Sequence, residues 1–240
     1  MNSHNPTALE ILEELRALGS PSIKKVLINH GAREPFFGVK VSDLKPIEKR
    51  LKPNYEVALG LYATGNSDAM YLAGLITDDM KMTRDDLQTW VGQAYWSLLS
   101  ESTVPWVASG GRFGYELGME WIESRIETTA CAGWRTLSSL TQIKPDSELD
   151  LNEYEALLRR VKSTIHEQPN RVRHCMNGFV ISCGTHTKPL TDFALQSAVS
   201  IGPVSVMMGN TACKVPFAPD LIQEAVASGA TGKKRKSAKC

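Results

Sequence analysis

Five tryptophans crowd the middle of this 240-residue chain, and charged residues stand among them. Trp90, Trp96, Trp106 and Trp121 follow one another closely, and Trp134 lies just beyond. Trp96 and Trp106 flank the stretch Ser97-Leu98-Leu99-Ser100-Glu101-Ser102-Thr103, and Arg135 directly follows Trp134. Aromatic faces beside a carboxylate and an arginine are what a pocket for a cationic or flat ligand needs. The same tryptophans could equally fill the space between helices, and composition alone does not separate the two readings.

Other chemistries find less support. His30, His166, His174 and His186 show no metal spacing, and Cys131, Cys175, Cys183, Cys213 and Cys240 form no C-x-x-C pair. No metal or cofactor is expected. An odd cysteine count without a secretion signal points to reduced, buried thiols. Neither a P-loop nor a G-x-S-x-G elbow is present. Gly110-Gly111-Arg112-Phe113-Gly114 could form a phosphate nest but reads more simply as an interhelical loop.

Charge is distributed unevenly. The net formal charge is +1, yet residues 151–240 hold 12 Lys/Arg against 6 Asp/Glu, with five of the twelve in the last eight residues. Lys233, Lys234, Arg235 and Lys236 are therefore candidates for contact with an anion. The start, Met1 to Pro6, is polar, and no apolar run reaches the roughly 18 residues of a membrane span. A soluble cytoplasmic protein with no membrane partner is the expectation.

The elements that must position these residues read as helices. Leu9, Ile11, Leu12, Leu15 and Leu18 form one apolar stripe, ended by Gly19 and followed by Ser20-Pro21 as a new start. Ser42, Asn54, Asn66 or Ser67, and Thr83 with Asp85 and Asp86, read as later helix caps. Further helices are predicted near 113–126, 128–142, 151–167, 171–185 and 190–200, and no convincing strand is found. About a dozen short helices joined by short turns predict an all-α αα-superhelix, a solenoid. Residues 1–200 would form the repeat domain, 201–228 a turn-rich extension with one short helix, and 229–240 a flexible basic tail.

Several segments also agree in order with a known family. Tyr95-Trp96 through Val104-Pro105, Ala132-Gly133-Trp134-Arg135-Thr136-Leu137, Arg173-His174-Cys175-Met176-Asn177-Gly178-Phe179-Val180 and Gly38-Val39-Lys40-Val41-Ser42-Asp43-Leu44-Lys45 together resemble the DNA alkylation repair family, the AlkD-like HEAT-repeat DNA glycosylases. The resemblance spans about residues 5–200, and the basic tail looks like that of a distinct branch. It implies HEAT-like repeats and release of N3- or N7-alkylated purines from DNA. Such adducts are cationic, so a carboxylate that stabilises charge on the sugar, with aromatic rings against the lesion, does most of the work.

Carried over, Trp96 matches the first family Trp. The family Asp falls at Ser100, or at Glu101 if one residue is inserted before Val104-Pro105. The second Trp falls at Phe179, and Arg135 matches a phosphate-contacting Arg. The resemblance thus implies Glu101 and Trp96 as catalytic, and Trp134, Arg135, Arg173 and Phe179 as DNA contacts. The expected partner is damaged double-stranded DNA, bound by a monomer that is nucleoid-associated when on DNA. Two rival readings remain: a non-catalytic binder of damaged or branched DNA, and a protein-interaction solenoid.

Overall fold

The computed structural model describes residues 6–239. Met1–Asn5, which hold most of the polar start, and Cys240 lie outside that range. Thirteen α-helices make up the described chain, and no strand is found among its residues. None of the helices is long and apolar enough to cross a membrane.

Some of the first helices start where their expected caps stand, and others do not; Ser20, expected as a cap, makes no side-chain cap bond. Thr7 opens α1 (Ala8–Leu18) through a capping box with Glu10. Pro21 sits in the first turn of α2 (Pro21–Asn29). The next helix, α3 (Val41–Leu51), begins one residue before the expected cap Ser42, which bonds Asp43 instead. Asn54 and Asn66 cap α4 (Tyr55–Ala63) and α5 (Ser67–Ile76) with their side-chain oxygens. Thr83 and Asp86 form the capping box of α6 (Arg84–Gln93). That helix stops short of Ala94 and Tyr95, because the Tyr95 hydroxyl is drawn away to the carbonyls of Pro35 and Gly65.

The remaining helices are α7 (Val104–Gly110), α8 (Gly114–Trp121), α9 (Glu127–Ile143), α10 (Leu151–Thr164), α11 (Asn170–His186), α12 (Thr191–Ile201) and α13 (Ala218–Ala227). They alternate between two rows. In the inner row α5, α7, α9, α11 and α13 pack side by side; in the outer row α4 backs α5, α8 backs α9, and α10 and α12 back α11. Antiparallel helix pairs stacked on like pairs are the architecture of an αα-solenoid. Two apolar cores fill the space between the rows and meet at α8 and α9, where Trp121 belongs to the first and Ile122 and Trp134 to the second.

Two non-helical segments border the inner row. Residues 202–217 cross the N-terminal ends of its helices. Asn170 Nδ2 donates to Met207 O at 2.9 Å, Met207 N donates to Asn170 Oδ1 at 2.7 Å, and Gly209, at φ +72°, lies against the Asn29 carbonyl of α2. Residues 230–239 cross the opposite, C-terminal ends. Flexibility was expected of this tail, yet it is held at every second or third residue. Gly232 N donates to Thr185 O at 2.9 Å, Arg235 N to Gln142 O at 2.7 Å, and Lys234 Nζ to Thr141 O at 2.7 Å. Lys234 also pairs with Asp146 and Lys239 with Asp79, each at 2.7 Å. Ala238 is buried in the first core. The physical reason is that helix C-termini expose carbonyls and partial negative charge, which lysines complement.

Candidate functional site

Helical geometry begins again at Ser97 and runs to Gly110, interrupted by a π-helical turn over Leu99–Thr103. Pro105 explains the turn. It has no N–H, so the Glu101 carbonyl loses its ordinary i+4 donor. The N–H of Val104 reaches back five residues to Leu99 O, and Arg135 Nε crosses from α9 to donate to Glu101 O at 3.1 Å. The widened turn changes which side chain faces outward. Ser100 folds back, its Oγ donating to Trp96 O at 3.2 Å, while Glu101 points toward α11. Of the two residues left open by the sequence, Glu101 is the one aimed across the inner row.

There it meets Arg171. Nε donates to Oε1 and Nη2 to Oε2, both at 2.7 Å, a bidentate pair with the carboxylate 6% and the guanidinium 27% exposed. The backbone N of Arg171 donates to Glu127 Oε1 at 2.6 Å, so the first turns of α9 and α11 are tied together. Burial works against the guanidinium's charge, but the hydrogen bonds and charge of Glu101 outweigh it and raise its pKa. Arg171 was missed by sequence reasoning. Nothing local marks it, since its partner lies 70 positions away.

Beside the pair is a cleft of about 320 Å³ lined by Arg33, Trp96, Glu127, Arg171 and Met208 among others. Trp96 is buried to 5% exposure, and its indole N–H donates to Ser67 Oγ at 3.1 Å. Little of the side chain is therefore offered to the cleft. Arg171 Nη1 also reaches Met208 Sδ at 3.4 Å, so the 202–217 segment forms part of the wall.

A second hollow, of about 310 Å³, lies farther along the inner row between α9, α11 and α13, lined by Arg135, Gln142, His174, Asn177, Gly178 and His186 among others. Gly178 leaves room for the Arg135 guanidinium, since a Cβ there would stand 3.0 Å from Nη1. Burial lowers the pKa of both His174 and His186, which favours neutral rings at neutral pH. Arg173 Nη2 lies 3.5 Å from Asn170 Oδ1, and its buried Nε has no partner among the described residues.

Two expected contacts are corrected. Trp134 and Phe179, at 1% and 0% exposure, are core residues that meet edge to face at 5.2 Å, with Phe179 also stacked on Tyr154. Their helix faces point to the outer row, where the apolar area is buried, and neither presents a ring to a ligand. The tail residues divide: Lys234 is committed to Asp146, whereas Lys233, Arg235 and Lys236 are exposed.

The buried thiols form no metal centre of a familiar kind. Glu101, Cys131 and Cys175 bring their ligand atoms within 4.8 Å of one another. Arg171 nevertheless takes both carboxylate oxygens, and burial, with the Cys175 thiol donating a hydrogen bond to Cys131, pushes the Cys175 pKa well up. The glycine run at 110–114 is likewise structural. A Cβ at Gly110 or Gly111 would strike Asp79, and one at Gly114 would strike the Ala108 carbonyl.

Comparison with known proteins gives the family and the fold. The profile of the family described as "DNA alkylation repair enzyme" matches residues 11–214. Uncharacterized proteins of Listeria innocua and Listeria monocytogenes are each 36% identical over 218 residues, covering 88% of this chain and 94% of theirs. A solved structure superposes with a TM-score of 0.89 at 35% identity, covering 98% of this chain and all of the other. It is described as "a new family of proteins related to the HEAT-like repeat DNA glycosylases with affinity for branched DNA structures".

Proposed function

Because the chain belongs to the DNA alkylation repair family, with the HEAT-like helical fold of its relatives, we propose that it binds branched DNA along the inner row and performs no base excision. The observation that carries this reading is the bidentate Glu101–Arg171 pair. A carboxylate that stabilises a sugar cation must keep an oxygen free to face it. Here both oxygens accept charged hydrogen bonds, and the negative charge is neutralised in place. The aromatic partners that excision would need are also withdrawn, with Trp134 and Phe179 in the core.

What remains suits a phosphate backbone. Arg33 is exposed at one end of the inner row, where its guanidinium is anchored on the Tyr95 carbonyl. Arg135 and Arg173 follow on α9 and α11, half-buried, with donors left over after their protein contacts. Guanidinium groups held in place, by a helix for Arg135 and Arg173 and by the Tyr95 carbonyl for Arg33, recognise phosphates with little ordering cost. The similar solved protein has affinity for branched DNA, which supports the choice of partner.

The test combines two measurements on the full chain. Gel shifts of a four-way junction and a linear duplex across salt should show salt-dependent binding, tighter for the junction. Release of 7-methylguanine from methylated DNA, at protein in excess, should stay at background. Release that disappears in Glu101→Gln would restore Glu101 as a catalytic group and sink this reading. No salt-dependent binding to either DNA would leave a protein-interaction solenoid.

A further inference from the structure

We infer that the docked C-terminal segment is a second phosphate-binding surface, a cationic rail on the rim of the inner row that holds another arm of a branched duplex. The inference rests on the branched-DNA reading above and adds where the additional arm lies.

The rim needs such a rail. The C-terminal ends of α5, α9 and α11 all come to this edge, at Thr77, Thr141–Gln142 and Thr185–His186. Helix C-termini carry partial negative charge and unsatisfied carbonyls, so a bare edge would repel phosphates. Asp79 and Asp146 add two carboxylates there. The tail reverses this. Lys234 Nζ donates to Thr141 O and pairs with Asp146; Lys239 Nζ donates to Thr77 O at 3.0 Å and pairs with Asp79. The His186 ring bonds the Lys233 carbonyl at 2.8 Å, and Ala238 inserts into the first core.

These anchors sort the cations by direction. Lys234 and Lys239 turn inward and are spent on the protein, while Lys233, Arg235 and Lys236 stay exposed along the same short stretch, Arg235 steadied by its Nη1 donating to Gln142 Oε1 at 3.3 Å. Three outward charges on a backbone already held in place lose little freedom on binding, unlike those of a free tail.

The rail is separate from the Glu101–Arg171 end of the face. Arg171 opens α11, and Thr185, where the tail attaches, lies 14 residues on, about 21 Å along the helix axis at 1.5 Å per residue. One duplex seated over Arg33, Arg135 and Arg173 is served by the inner row. A second arm leaving a branch point over the C-terminal rim would meet the rail.

The experiment uses the full chain carrying Lys233→Ala, Arg235→Ala and Lys236→Ala together, with both anchoring lysines retained. Binding to a four-way junction and to a linear duplex is titrated across salt. For the junction, the slope of log K against log salt should fall by about 2 to 3, at about 0.9 per phosphate contact, and affinity should drop at least tenfold. Duplex binding and the melting temperature should match wild type. An unchanged junction slope, or equal losses on junction and duplex, would overturn the rail while leaving the inner-row reading standing. Wild-type protein with no preference for the junction would remove both. Lys234→Ala with Lys239→Ala is the complementary variant. It should lower the melting temperature and also weaken junction binding, because the rail loses its course. Unaltered junction binding in that variant would count against the rail.

Discussion

Glu101 and Arg171 meet through two 2.7 Å hydrogen bonds in a setting where the carboxylate is almost fully buried. Removing the guanidinium alone would leave an uncompensated charge among Cys131, Cys175 and apolar neighbours. Arg171→Ala should therefore destabilise the protein by about 3 kcal/mol, the lower end of the range for a broken buried pair because the arginine is partly exposed. Adding Glu101→Gln to that variant should recover a good part of the loss. Urea unfolding of the two single variants and the double variant closes the cycle. Strictly additive effects would mean that the pair is not coupled as described. The place of Glu101 between two tryptophans marks it in the sequence, and the family resemblance leaves it as one of two choices with Ser100. Arg171 was invisible, because bidentate pairing depends on how three helices stack and not on any local pattern.

At the scale of the element, α9 shows how a motif changes meaning once packed. Ala132-Gly133-Trp134-Arg135 read as a ligand-facing run, yet its members point in different directions. Trp134 enters the core, Arg135 crosses to the π-helical turn, and Gly133 lies against α8. A Cβ at Gly133 would stand 2.6 Å from Ile122 N and 2.9 Å from the Gly118 carbonyl, both backbone atoms. Gly133→Ala must push α8 and α9 apart and should cost about 1–3 kcal/mol. Gly178→Ala is the internal control. Its Cβ meets only Nη1, the far end of the Arg135 side chain, and no backbone, so the loss should be clearly smaller. Thermal unfolding of both variants decides the matter, and an equal loss would refute the close helix contact.

The whole molecule is closed at one edge by its last residues, and Asp79 is the group there whose titration reports on the closure. Burial raises its pKa to about 6, against the opposing pull of Lys239, with Asp78 and Lys52 as smaller influences. The unfolded carboxylate titrates near about 3.9. Between those values the folded protein holds a proton that the unfolded chain has released, so this group's contribution to stability falls as pH rises from about 4 to 6 and is level above that. Asp79→Asn should abolish that portion of the pH dependence. Urea midpoints for wild type and variant at pH 4, 5, 6 and 7 provide the check. A difference between them that stays constant over this range would contradict the raised pKa.

Helix content, most caps and the order of the elements were written in the chain itself, because periodicity and capping act between residues a few positions apart. Asn54, Asn66 and Thr83 all cap where their local context placed them. The π-helical turn was half legible: Pro105 announces a missing donor, but Arg135 had to arrive from α9 to satisfy the carbonyl it frees. Tertiary packing alone decided the rest. It buried Trp134 and Phe179, paired Glu101 with Arg171, and laid the basic tail across three helix ends 45 or more residues away in the chain. Those outcomes depend on burial and on charges brought together from distant positions, and neither quantity exists until the helices stack.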